Sequence, residues 1–121
     1  MERRLVVDKL YRGELPGLVV LELKDRKGGI SVRLDLTEGI LREMKWKPEG
    51  GEVALSILKE DVGGEDFKFY AWGRVYELKE VDGSYKYYIS IGGLQLLLSL
   101  KGERIRLNKG DKVYIGMKVI R

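Results

Sequence analysis

The side chains best able to do chemistry lie in one acidic, glycine-rich segment, Lys59 to Asp66. Its carboxylates could pair for acid–base catalysis or hold a hard cation such as Ca²⁺, which prefers oxygen ligands. These carboxylates belong to Glu60, Asp61, Glu65 and Asp66. The segment lacks the D-x-[DN]-x-[DN]-G spacing of a calcium-binding loop. It is therefore predicted to be a solvated, mobile loop without a metal.

Two residue types that carry much of enzyme chemistry are missing, because the chain has no Cys and no His. Their absence removes disulfides, thiolate metal sites, the commonest general base and the commonest zinc ligand. None of the serines lies in a G-x-S-x-G elbow, and there is no Walker A or Rossmann motif. The chain is therefore predicted to be a binding protein without catalytic residues, metal or cofactor.

Aromatic residues crowd one stretch, Phe67 to Leu100, which is predicted to form two long antiparallel strands. The strands are joined at Val81-Asp82-Gly83-Ser84, because Asp-Gly between aromatic and β-branched runs is a strong hairpin signal. Gly73 and the pair Gly92-Gly93 interrupt these strands. Glycine inside a strand indicates a bulge, a bend, or the close approach of another backbone.

Alternation along the first of these strands separates an outer face from a core face. The side chains predicted to face outward are Tyr70, Trp72, Arg74 and Tyr76. Those predicted to face the core are Phe67, Phe69, Ala71 and Val75. Exposed aromatic and basic residues could stack and hold nucleic acid, or they could cover the barrel or contact a protein partner. The basic residues predicted to join this outer face from the C-terminal end are Arg104, Arg106 and Lys109.

The remaining segments supply further strands. Thr37 to Pro48 is predicted to be a short turn or crossover whose apolar residues, with Trp46, plug one barrel end. Ile105–Leu107 is predicted to pair with Val113–Ile120. The other predicted strands are Leu5–Tyr11, Leu18–Lys24, Ile30–Leu36 and Val53–Leu58. About eight short strands without a long helix indicate an all-β antiparallel barrel or sandwich, and the glycine bends favour a barrel of one domain, residues 1–121.

Composition also predicts the kind of organism that the protein comes from and its location in the cell. Charged residues make up 35% of the chain, whereas Asn108 and Gln95 are its only amide residues, which is typical of hyperthermophile proteins. The net charge of +4 is too small to demonstrate a nucleic-acid partner. The apolar run after Arg4 is too short for a signal peptide, and no run approaches the roughly 18 residues of a membrane span. We therefore expect a cytoplasmic protein.

Three segments in register, Phe69–Tyr76, Tyr88–Leu96 and Asp111–Lys118, resemble subunit eight of DNA-dependent RNA polymerase. That family shows an aromatic-Gly-basic-Val-Tyr strand, then Ser-aromatic-Gly-Gly-Leu, then Val-Tyr-aliphatic-x-Met-Lys, in this order. Ile91 stands where an aromatic residue is common, and Trp72 stands where Tyr is common. The short loops and the composition look like an archaeal member.

The resemblance implies an eight-stranded barrel of oligonucleotide-binding (OB) type and a non-catalytic, peripheral subunit that docks on the largest polymerase subunit. We expect Gly92, Gly93, Leu94 and Gln95 to form the docking surface, because Gly-Gly exposes backbone to another chain. Alternatively, the two glycines only bend the strand to close the barrel. A free-standing single-stranded nucleic-acid-binding protein remains the alternative function, for which +4 is a low charge. A small enzyme or metal-binding protein that uses the acidic loop is strongly disfavoured.

Overall fold

The computed structural model describes residues 1–121 as eight strands and one short helix, which confirms the all-β prediction. The first four strands are β1 (Glu2–Arg12), β2 (Leu18–Lys24), β3 (Ile30–Thr37) and β4 (Glu52–Leu58), with α1 (Glu38–Glu43) between β3 and β4. The last four are β5 (Phe69–Val81), β6 (Ser84–Ile91), β7 (Leu94–Lys101) and β8 (Lys112–Val119). The helix has six residues, and no helix is long and apolar enough to cross a membrane.

The strands close into an antiparallel barrel, as predicted, in the order β1-β2-β3-β7-β6-β5-β8-β4. Each half of the chain begins with a long strand that changes partner partway along. β1 pairs first with β4 and then with β2, and β5 pairs first with β8 and then with β6. Both long strands shift register at the change, between Val7 and Lys9 and between Val75 and Glu77. A bulge at these points lets one strand turn the corner of a small barrel.

Alternation of apolar and polar residues directs one continuous core into the barrel. In β3 the buried Ile30, Val32, Leu34 and Leu36 alternate with outward side chains, as the sequence predicts. Both barrel mouths are then covered by chain connections. At one mouth Thr37 caps α1 through its hydroxyl, which accepts a hydrogen bond from the Ile40 amide, and the buried Met44 follows. This segment is the predicted plug, formed as a short helix.

The other mouth corrects the sequence prediction, because Ile105–Leu107 is not a strand. The segment belongs to the connection from β7 to β8 and runs across the barrel end, with Leu107 buried in the core at 4% exposure. The hydroxyl of the buried Tyr87 donates to the Ile105 carbonyl and accepts from the Ile105 amide, both at 3.1 Å. One side chain thus replaces a strand partner, while β8 pairs with β4 and β5.

The glycine pair is also placed differently from the prediction. Gly92-Gly93 does not interrupt a strand but forms the two-residue turn between β6 and β7, with φ of 55° and 92°. Two consecutive positive φ angles define the hairpin turn for which glycine is best suited. The predicted Asp82-Gly83 turn is confirmed, with φ of 50° and 80°. Gly73 is the one strand glycine of this region, and it allows the close backbone approach that was predicted.

Candidate partner-binding face

The predicted outer face of β5 is confirmed. Phe69 and Val75 are buried and Ala71 packs against the core, whereas Trp72 and Tyr76 are 56% and 40% exposed. Exposed apolar side chains that lie next to one another on a surface are candidates for contact with a partner. The outer side of β5 is therefore the first component of a candidate binding site.

The second component is the turn between β6 and β7, which the barrel brings beside β5. The register places Arg74 opposite Ser90, and Ser90 opposite Gln95. The Tyr76 hydroxyl hydrogen-bonds the Gln95 side-chain carbonyl at 3.1 Å. The two predicted sets therefore form one surface. We call it the hairpin face, defined by Trp72, Arg74, Tyr76 and the turn Gly92–Gln95.

Side chains that the sequence analysis missed extend this surface on both sides. On β8, the Lys112 ammonium lies 4.7 Å from the centroid of the Trp72 ring and 5.5 Å from that of Tyr114. On β6, the Tyr88 ring lies 6.1 Å from the Tyr76 ring. Alternation within β8 marks Lys112 and Tyr114 as outward. Their position beside Trp72 depends on β8 pairing with β5, which the local pattern does not reveal.

Two of the three predicted cations of the C-terminal end, Arg104 and Arg106, do not lie on the hairpin face. Arg104 lies 5.9 Å from the ring centroid of Tyr85, and Arg106 lines a groove at the barrel mouth. Lys109 is exposed in the loop before β8, where the neighbouring Gly110 carbonyl accepts a hydrogen bond from Arg74 at 2.9 Å. The prediction was wrong for Arg104 and Arg106 because residues 105–107 do not form the strand on which it rested.

The acidic segment is anchored to the outside of the barrel. β4 and β5 both pair antiparallel with β8, which lies between them, so the chain must cross β8 to join them. The Tyr70 hydroxyl donates to Asp61 at 2.6 Å and accepts from the Val62 amide at 3.1 Å. Nowhere do three or more Asp or Glu side chains come together in a way that could hold a metal ion.

Phe67 corrects the predicted core set. Its ring stacks on Tyr70 at 5.3 Å between centroids and lies on the outer side of β8. A β-carbon at Gly116 would come within 2.6 Å of two Phe67 ring atoms. Phe67 precedes β5, so strand alternation does not decide its side. Glycine at position 116 lets the ring lie directly on the strand.

The hydrogen bond between Tyr70 and Asp61 changes the pKa of both side chains. Partial burial, and then the hydrogen bond to Asp61, raise the pKa of the Tyr70 phenol. The hydrogen bond from Tyr70, and then the one from the Gly63 amide, lower the pKa of the Asp61 carboxyl. Because this pKa is lowered by folding, the carboxylate contributes stability above its ordinary pKa and loses it as pH falls through the lowered value. The pKa of the Tyr70 phenol is raised by folding, so the pH dependence of its contribution to stability runs the other way. That contribution is present below the ordinary pKa of tyrosine and is lost at strongly alkaline pH.

We expect the Gly63 amide resonance to titrate with a midpoint below the ordinary range of an aspartate, since this amide donates to Asp61 at 2.9 Å. In Tyr70→Phe the midpoint should move up toward the ordinary value, because the largest cause of the lowering is removed. Amide NMR spectra recorded across acidic pH measure both. Tyr114→Phe keeps the ring that stacks on Tyr70 and is the control. An unchanged midpoint in Tyr70→Phe would show that the Tyr70 hydroxyl does not hydrogen-bond Asp61 in solution.

Much of the ring surface on this side of the barrel is already occupied. Tyr70 stacks on Phe67 and on Tyr114, and the Lys112 ammonium lies over the rings of Trp72 and Tyr114. A base that stacked on these rings would have to displace intramolecular contacts. The geometry suits side-chain contacts with a protein better than a stacking platform for bases.

No protein-family model and no curated protein sequence matches this chain. Among solved structures it is similar to the cytoplasmic molybdate-binding protein ModG, in a crystal form with molybdate bound. The alignment covers 99% of this chain and 93% of ModG, with 15% identity and a TM-score of 0.42. Similarity at this level says nothing about the ligand or the function of this chain.

Proposed function

We propose that this protein is a non-catalytic, peripheral subunit of an archaeal DNA-directed RNA polymerase, which works in the cytoplasm and docks on the largest subunit. The observation that carries the proposal is where the three subunit-eight-like segments lie. Phe69–Tyr76 is on β5, Tyr88–Leu96 runs from β6 through the glycine turn into β7, and Asp111–Lys118 covers most of β8. These four strands are neighbours in the barrel. The resemblance therefore forms one continuous patch and is not scattered over the fold.

The hairpin face has the composition of a docking surface. Trp, Tyr and Arg are enriched among residues that dominate binding energy at protein interfaces, and this face exposes Trp72, Arg74 and Tyr76 together. Gly92 and Gly93 carry no side chains, so a partner can approach the turn backbone closely. β5 pairs with β8 from Phe69 to Arg74 and with β6 from Arg74 to Val81. At the hairpin face the strand therefore presents its outward side chains, together with the glycine turn, to a partner.

Trp72→Ala is expected to lower the recovery of the large polymerase subunits by about tenfold or more, which is the effect of losing one interface hot spot. The measurement is a pull-down of tagged protein from nuclease-treated lysate of its own organism, with the retained proteins quantified by mass spectrometry. Tyr11→Ala is the matched control, because Tyr11 is also an exposed aromatic residue but lies on β1, three strands away from β5 in the barrel.

The possible outcomes test the polymerase-subunit role and the use of the hairpin face separately. Equal recovery of the large subunits with wild type, Trp72→Ala and Tyr11→Ala would leave the subunit role standing and remove the hairpin face from it. Failure to retain those subunits, with nucleic acid retained when nuclease is omitted, would overturn the role and favour the free-standing nucleic-acid binder.

A further inference from the structure

An open groove of about 610 Å³ lies at the barrel mouth that the connection between β7 and β8 crosses. The start of β1, the end of β4 and residues 105–107 form its walls. Its apolar surface comes from Met1, Ile57, Leu58 and Ile105, together with the edge of Leu107. The glycine turn of the hairpin face lies at the opposite mouth, because β7 runs from that turn to this connection. None of the residues that define the hairpin face lines the mouth groove.

The charged side chains that line this groove are all positive. Three of its eight lining residues are the cations Arg3, Lys59 and Arg106, and none is acidic. Arg3 is paired with Glu103, and Lys59 with Asp111 at 3.4 Å, so the two acids hold these side chains from outside the groove lining. Arg106 is exposed and makes no ion pair or hydrogen bond within the chain. It is the cation most available to a ligand.

The groove is formed before any ligand arrives. Tyr87 holds both backbone groups of Ile105 from inside the barrel, and the buried Leu107 fixes the next turn of the chain. The opposite wall is also held, since the Ile57 amide donates to the Met1 carbonyl at 2.9 Å. A preformed site loses little ordering entropy when a ligand binds.

We propose that the mouth groove binds an acidic polypeptide segment, in which apolar side chains are flanked by Asp or Glu. Aliphatic walls would bury the apolar side chains, and the unpaired Arg106 would face a carboxylate of the segment. A nucleic acid is the poorer occupant, because no aromatic ring lines the groove and bases would have nothing to stack on. This site uses none of the residues of the hairpin face and does not depend on the polymerase proposal.

The test uses the full chain and a short fluorescent peptide that alternates Leu and Phe with Asp and Glu. Fluorescence anisotropy should show saturable binding that salt weakens. A matched peptide with Asn and Gln in place of the acids should bind at least about tenfold more weakly, as should one with Ala in place of the apolar residues. A short oligothymidylate should not compete.

The matched variants are Arg106→Glu and Lys109→Glu, which make the same charge change three positions apart in one exposed connection. Arg106→Glu should raise the Kd of the acidic peptide about tenfold or more, whereas Lys109→Glu, outside the groove lining, should change it less than about twofold. Near-UV circular dichroism checks that both variants fold. Equal loss in the two variants would mean a general charge effect and would overturn the site, as would competition by oligothymidylate.

Discussion

Gly73→Ala is expected to lower the free energy of unfolding by about 2–3 kcal/mol, the cost of overpacking a well-packed core. A β-carbon at this position would lie 2.6 Å from the Ser90 carbonyl oxygen and 3.0 Å from side-chain atoms of Ile89 and Ile91. The carbonyl cannot move aside freely, because β6 is paired on both sides in a closed barrel. The two strands must separate locally, and core contacts are lost with them.

Guanidinium chloride unfolding, followed by far-UV circular dichroism with the slope held in common, measures this difference. Gly39→Ala is the matched control, since its β-carbon would have no neighbour closer than 3.8 Å and its φ is not positive. Gly39 is the second residue of α1, where alanine should not lower the free energy of unfolding and should raise it by less than about 1 kcal/mol. Equal midpoints for wild type and Gly73→Ala would mean that β5 and β6 are not in such close contact.

Tyr87→Phe is expected to lower the free energy of unfolding by about 2 kcal/mol, although it removes only one oxygen atom. The Tyr87 side chain is fully buried, and its hydroxyl satisfies both the amide and the carbonyl of Ile105. Without it, the Ile105 amide at the barrel mouth loses its partner, and the Ile105 carbonyl keeps only the hydrogen bond from the Leu107 amide. The same change should loosen residues 105–107 and raise the Kd of the acidic peptide for the mouth groove.

Tyr85→Phe is the control for this effect, because Tyr85 lies on the same strand and its hydroxyl makes no hydrogen bond within the chain. Its unfolding midpoint should stay close to that of wild type. Amide hydrogen exchange at Ile105 and Leu107 should accelerate in Tyr87→Phe and not in Tyr85→Phe. Similar exchange in both variants would show that the hydroxyl does not hold the segment.

Local patterns predicted the fold where neighbouring residues alone determine structure. The alternation from Ile30 to Leu36 and the Asp82-Gly83 turn were both placed correctly, because period two and a positive-φ turn are local properties. Residues 105–107 carry an equally strand-like pattern but lie across a barrel mouth. Their conformation depends on Tyr87, which is distant in sequence, and no local pattern contains that information.

For the candidate site too, the sequence predicted the features that depend on one strand and not the contacts between strands. Alternation correctly placed Trp72 and Tyr76 on the outside of β5, since it needs only the strand itself. Alternation could not predict that Lys112 lies at the Trp72 ring. That contact arises because β8, the last strand in the chain, lies between β4 and β5 in the barrel. Nor could alternation show that Gln95 on β7 contacts Tyr76 on β5 across β6. Those contacts follow from topology.

The matching halves of the barrel meet along only two seams, β3 with β7 and β4 with β8. Each three-strand meander can form from local contacts, whereas the seams join segments far apart in sequence and must close late. On the ribosome the N-terminal half emerges first, with the outer edges of β3 and β4 unpaired until the second half is made. An unpaired edge is a template for any complementary strand. A second copy of the chain carries that complement, so a domain-swapped dimer is the misfolding product that this architecture favours.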